Sequence, residues 1–199
     1  YRISDGGYAK EKPDYVDNEK CLFNAKHRFG QSNIHVIADG CGPRTMKMIK
    51  SMFTRSSITK VQVGHGAGTF NIALDMALNE FKDQDYIYFL ENDYIHKGQA
   101  REVLQEGIDL GASFVALYDH PDKYLEPSKG GNPYCEGGAE DTRVYLTNTC
   151  HWKVTNSTTM TFAARVDVLR ETEPILRKWT TGTYPEDFKM FLELRETGH

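Results

Sequence analysis

The sequence predicts an α/β fold with a mostly parallel sheet and helices on both faces. Three observations carry that prediction. Apolar runs of strand length alternate with amphipathic helical stretches through the first half of the chain, which is the pattern of βαβ units. Three strand-like runs stop on acids, at Asp39, at Glu91-Asn92-Asp93 and at Asp119. In a parallel sheet all three ends face one edge, where open α/β sheets bind ligands. A Gly-rich loop, Gly64-His65-Gly66-Ala67-Gly68, runs into a helix whose free N–H groups would suit a phosphate.

The elements follow in order. Tyr1 to Gly7 reads as the tail of a strand entering a loop, with further chain expected before Tyr1. Asp17 to Phe29 has helical apolar spacing, a capping residue at Asp17 and a stop at Gly30. Ile34 to Ala38 is a strand ending on Asp39-Gly40. Pro43 opens a helix with Met46, Ile49, Met52 and Phe53 on one face, and a short strand follows at Val61 to Val63. After the Gly-rich loop a helix runs from Thr69 to Phe81, then an apolar strand from Tyr86 to Leu90. Lys97 to Leu110 is a helix closed by Gly111, and Ser113 to Tyr118 a strand. From Pro121 to Asp141 the Gly, Pro, Lys and acid content predicts a long mobile loop. Arg143 to Thr147 and Thr158 to Ala164 read as strands flanking His151-Trp152-Lys153. Helices at Val166 to Lys178 and Pro185 to Glu196 close the chain.

At 199 residues this is one domain, too short for two ordinary ones. A net charge of -4 gives no general attraction to nucleic acid or to an anionic membrane, so neither is an expected partner. No apolar stretch has membrane-spanning length and no secretory leader is apparent, so a cytoplasmic location is expected. Cys21, Cys41, Cys135 and Cys150 lack metal-ligand spacing and are expected to be reduced thiols.

Several residue groups carry candidate chemistry. Glu91 and Asp93 at a strand tip are hard oxygen ligands suited to Mn2+ or Mg2+, although taken alone such a triplet also makes an ordinary solvated turn. Glu186 and Asp187 sit in the first turn of the last helix, where the dipole favours acids and where a carboxylate can face a cleft as a proton acceptor. Trp152 offers a stacking ring for a sugar, or a hairpin anchor, and His151 or His120 could bond hydroxyls.

The order of these motifs resembles the large inverting, nucleotide-sugar-dependent glycosyltransferase family with the GT-A fold, the cellulose and chitin synthase-like group. Pro185-Glu186-Asp187 with Leu194-Arg195-Glu196-Thr197-Gly198 resembles its acidic-pair motif and following helix. Ile34 to Gly40 resembles its second strand, Gly66 to Ala77 its Gly-rich loop and helix, and Glu91-Asn92-Asp93 its Asp-x-Asp motif. Arg2 to Gly6, Leu90 to His96, Leu117 to Tyr124 and His151-Trp152-Lys153 resemble a subgroup of small microbial and viral members, including enzymes that glycosylate chlorella-virus capsids.

The resemblance implies a GT-A-type three-layer sandwich with a small antiparallel element near the acceptor side. Residues 1–110 would form the nucleotide-sugar half and residues 111–199 the acceptor and catalytic half, within a longer polypeptide. It implies a UDP-sugar donor held by Arg2, Ile3, Ser4, Asp39, His65, Gly66, Gly68, Glu91, Asn92 and Asp93, with Asp93 and Glu91 on Mn2+ or Mg2+. A glycan or glycoprotein acceptor would meet Asp119, His120, His151 and Trp152. Asp187 would be the base, with Glu186 and Asp119 as runners-up. Two departures stand out: Glu91 replaces the first Asp, and His65 stands where relatives often carry Arg. The competing readings are an NAD-dependent oxidoreductase, suggested by the alternating glycines, a non-catalytic nucleotide-sugar-binding module, and a nucleotidyltransferase.

Overall fold

The computed structural model describes residues 1–6, 12–134 and 143–199. Gly7, Cys135 and Asp141 lie outside the described residues. The chain is mixed α/β, with six α-helices and several small sheets among those residues. Three strands form a parallel sheet in the order β1 (Arg2–Ser4), β2 (Val36–Asp39), β3 (Ile58–Val61), with Ser4 beside Asp39 and Asp39 beside Val61. A second sheet has the order β4 (Tyr86–Tyr88), β8 (Ala163–Arg165), β5 (Phe114–Val115), in which β8 is antiparallel to both neighbours.

The segment after β4 joins the two sheets. The Phe89 N–H donates to the Phe162 carbonyl at 2.9 Å, and the Leu90 carbonyl accepts from the Arg2 N–H at 2.8 Å. Successive residues of an extended chain point to opposite faces. Leu90 accordingly packs with Ile3, Val36 and Ala38 under α1 (Asn18–Phe29) and α2 (Pro43–Met52). Phe89 packs on the other side with Phe162 and Ala164 under α3 (Gly66–Glu80), α5 (Val166–Lys178) and α6 (Asp187–Glu196). Helices thus lie on both sides of the Phe89–Leu90 segment, but the mostly parallel sheet expected from the sequence is instead one parallel sheet joined to one whose central strand, β8, runs antiparallel to its neighbours.

A small hairpin, β6 (Val144–Leu146) with β7 (His151–Lys153), stands apart from the main sheets. It is fixed to α4 (Ala100–Asp109) in two ways. Glu106 accepts hydrogen bonds from the Thr147 and Thr149 hydroxyls at 2.6 and 2.9 Å. The Trp152 ring fills the space over Gly107, where an added Cβ would lie only 2.6 Å from its Cη2.

Several boundaries differ from the sequence expectation for local reasons. β3 ends at Val61 because the Val63 and Gly64 N–H groups leave the ladder for the Asp39 carboxylate. α3 starts at Gly66 rather than Thr69 because His65 caps it, Nδ1 accepting from the Gly68 N–H. The strand expected from Thr158 contracts to Ala163–Arg165, since the N–H groups of Thr158, Thr159 and Met160 turn onto Asp187. The expected mobile loop from Pro121 holds two short 3-10 turns up to Lys129 and buries Asp122, Lys123 and Asn132.

His96 is sealed between the rings of Phe29 and Tyr88, with Nε2 sharing a hydrogen bond with the Tyr88 hydroxyl at 3.0 Å. Burial first, and then the Arg28 charge, push its pKa down from 6.5 to about 4. The unfolded chain thus binds a proton that the folded chain refuses. This contribution to stability is complete above about pH 6.5 and declines as pH falls toward 4. Between pH 7 and pH 4.5 the thermal midpoint should fall by several degrees more in the parent chain than in His96→Gln. Equal acid sensitivity in both would assign the effect to other groups.

Candidate functional site

The C-terminal ends of β1 and β2 and the turn after β4 meet around one buried carboxylate. Asp39 is fully shielded from solvent. Its Oδ1 accepts from the Val63 and Gly64 N–H groups at 2.8 and 2.9 Å, and its Oδ2 from the Thr69 hydroxyl at 2.9 Å. Arg2 adds a longer contact at 3.5 Å. Burial raises its pKa, but the hydrogen bonds from Gly64, Thr69 and Val63 and the Arg2 charge outweigh that, leaving the carboxyl below its ordinary value. Asp39 is thus an ionised anchor that fixes the Gly-rich loop.

Arg2 reaches from Asp39 to Glu91, with its other terminal nitrogen 3.6 Å from Glu91 Oε2. Its Nε is buried and has no acceptor. Glu91 also borders the start of α3 and the segment before α6: a Cβ added at Gly66 would lie 3.8 Å from Glu91 Oε1 and 3.7 Å from Pro185 Cδ. The Ala67 N–H meets the Thr183 carbonyl at 3.5 Å. Arg2, Asp39, Gly66, Glu91 and Pro185, two residues before Asp187, therefore share one neighbourhood.

Other expected donor residues take structural positions. Ile3 lies wholly in the core, and the Ser4 hydroxyl donates to the Gly6 carbonyl at 2.7 Å. The Asn92 amide donates to Asn18 Oδ1 at 2.5 Å and to the Ser4 carbonyl at 3.4 Å, tying its turn to α1 and β1. Gly68 is needed for packing, since a Cβ there would meet Val63 Cγ1 at 2.5 Å. His65 uses Nδ1 as a helix cap, which leaves Nε2 as its remaining polar atom.

The Asp93 carboxylate lies 3.8 Å from the Lys12 ammonium, in the segment before α1. Lys12 was not singled out by sequence because it sits in an ordinary polar run. Among the described residues no group of three or more His, Cys, Asp or Glu is arranged to hold a metal. Glu91 and Asp93 nevertheless remain a pair of partly exposed hard oxygen donors at the sheet edge, with side chains 30% and 14% exposed. That donor set suits a magnesium or manganese ion completed by substrate phosphates and water. Cys41, beside this edge, has its thiol pushed up to about 11 by burial and by Asp5 and Asp39, so it is protonated and not a nucleophile.

Asp187 accepts four hydrogen bonds. Oδ2 takes the Thr158 and Thr159 N–H groups at 2.9 and 3.1 Å, and Oδ1 takes the Thr158 hydroxyl and the Met160 N–H, each at 3.2 Å. Thr159 and Met160 are left-handed, with φ of 51° and 57°, a cost the carboxylate offsets by collecting their N–H groups. Thr158 is the link that sequence missed, because a run of Ser and Thr reads as strand. Glu186 is half exposed and paired with Lys189 one turn along the helix.

Thr158 also borders an open cleft of about 590 Å³ between the β5 segment, the β6–β7 hairpin and the end of α6. Asp119, His151 and Trp152 line it, so three of the four expected acceptor residues come together. His120 stands beside it, accepting the Asp122 N–H at Nδ1. The two regions are joined through Tyr94 and Tyr118, whose rings contact edge to face at 5.4 Å.

Comparison of the chain with protein-family models, curated proteins and solved structures finds no match. No helix among the described residues is long and apolar enough to cross a membrane.

Replacing Asp39 by Ala would orphan the Val63 and Gly64 N–H groups and the Arg2 charge. The expected loss is about 3 kcal/mol of unfolding free energy in urea titration. A loss below about 1 kcal/mol would show that the carboxylate does not hold the loop.

Proposed function

We propose that this chain is a metal-dependent glycosyltransferase domain of GT-A type that transfers a hexose or deoxyhexose from a UDP-sugar to a glycan hydroxyl with inversion. The observation that carries the reading is the convergence of Arg2, Glu91 and Gly66 at one sheet edge next to Pro185, which leads into the Glu186-Asp187 helix start. The parallel β1–β3 sheet and the separate antiparallel hairpin are compatible with the reading.

In this proposal Arg2 and Gly66 at the start of α3 face the diphosphate. Arg2, held between Asp39 and Glu91 by its terminal nitrogens, supplies a fixed positive charge there. Glu91 and Asp93 would hold the divalent cation, which stabilises the charge developing on the leaving diphosphate. Asp39 acts through the loop it anchors rather than by touching the base. Asp187 receives the acceptor proton once the Thr158 hydroxyl rotates away and frees a lone pair on Oδ1. Glu186 is the second candidate, reachable from solvent on release of Lys189.

The oxidoreductase reading is disfavoured by topology. In dinucleotide-binding folds the glycine fingerprint follows the first strand of the unit, whereas here it follows β3 at the edge of its sheet.

A screen of nucleotide sugars with Mn2+ should yield free UDP from one UDP-sugar, and EDTA should abolish it. Asp187→Asn should lower kcat by about 100-fold or more while UDP binding persists. NAD binding without any UDP binding would end the proposal.

A further inference from the structure

The cleft beside β5 carries a charge opposite to that of the chain as a whole. The protein bears 28 acids against 24 Lys and Arg. Along this cleft, however, Lys153 and Arg195 stand with His151 and His199, Glu171 lies 3.8 Å from His199, and among the described residues the one acid in the lining is Asp119. That acid is partly masked, because the Tyr124 hydroxyl donates to its carboxylate. Lys153 in turn lies over the Tyr124 ring, 4.5 Å from its centre. A concave site with one sign of charge and partly apolar walls focuses its field on a ligand of the other sign.

The walls specify more than charge. Trp152, held by its Nε1 bond to Thr147 at 3.2 Å, contributes an aromatic surface together with Tyr118 and Tyr145. Aromatic faces beside cations suit a saccharide ring that carries an anion, since the ring's C–H face stacks and its charged substituent reaches the cation. An acidic peptide would share the charge but has less use for stacking platforms. The volume of about 590 Å³ falls in the range of small-ligand clefts.

We infer that this cleft binds an anionic saccharide, one bearing a carboxylate or phosphate, and that under the proposed transferase activity it is the acceptor or the acceptor's neighbouring unit. Arg195, on the last turn of α6 and exposed, and Lys153 on β7 supply the discrimination. The identification as acceptor rests on the proposed function, whereas the binding preference stands on the cleft itself.

The test is titration of the whole chain, followed by NMR, with methyl glucoside, methyl glucuronide, glucose 6-phosphate and a short oligoglutamate. UDP binding is measured separately on the same samples. The glucuronide or the sugar phosphate should bind about ten-fold tighter than the glucoside, and the preference should fade at high salt. Which of the two anions binds better identifies the substituent. Arg195→Gln with Lys153→Gln should remove the preference while leaving the glucoside affinity and the spectrum of the core unchanged. Equal affinity for glucoside and both anionic sugars would overturn the inference, as would tighter binding of oligoglutamate. If charge discrimination is present and UDP binding absent, the cleft inference stands and the transferase reading fails. The opposite pair of results leaves the transferase reading and removes this inference.

Discussion

Everything at the sheet edge depends on one buried carboxylate. Asp39 can stay ionised without solvent only because the Val63 and Gly64 N–H groups, the Thr69 hydroxyl and Arg2 surround it. Those partners come from three separate stretches of chain. Satisfying Asp39 therefore ends β3, shapes the Gly-rich loop, places the first turn of α3 and orients Arg2 toward Glu91. A charge that must be neutralised locally becomes the device by which distant segments are brought into register.

Asp187 repeats the device on the other side. Its carboxylate collects three consecutive backbone N–H groups and holds Thr159 and Met160 in a conformation they would not adopt unaided. Such a carboxylate is both a structural clasp and, through the exchangeable Thr158 hydroxyl, a group that can change partners. The cleft along β5 borders that same threonine, so saccharide binding and proton acceptance would be felt by one side chain.

Much of the fold is legible in the sequence, because periodicity and capping are local properties. The helix capped by Asp17 and stopped by Gly30, the Pro43 helix, and the Val166 to Lys178 helix fall where spacing and caps predict. What was hidden involves partners far apart in sequence. Nothing near Val63 announces that its N–H will serve Asp39, and nothing in Thr158 to Thr161 announces Asp187. The acid triplet was legible as a group but not in its contacts: Glu91 lies beside Arg2 and the Gly-rich loop, and Asp93 beside Lys12. Trp152 had two readings from sequence, stacking surface and anchor, and the structure seats its ring over Gly107 while leaving it in the cleft lining.

The central claim is that the edge joining Arg2, Asp39, Gly66 and Glu91 receives a nucleoside diphosphate with its metal. Paramagnetic broadening of amide signals by Mn2+ in the presence of UDP tests it without requiring the acceptor or the transferred sugar. The account predicts loss of signal at Arg2, Gly66, Ala67 and Glu91 that depends on UDP, with the β6–β7 hairpin little affected. Broadening centred elsewhere, or the same pattern with Mn2+ alone and no response to UDP, would contradict it.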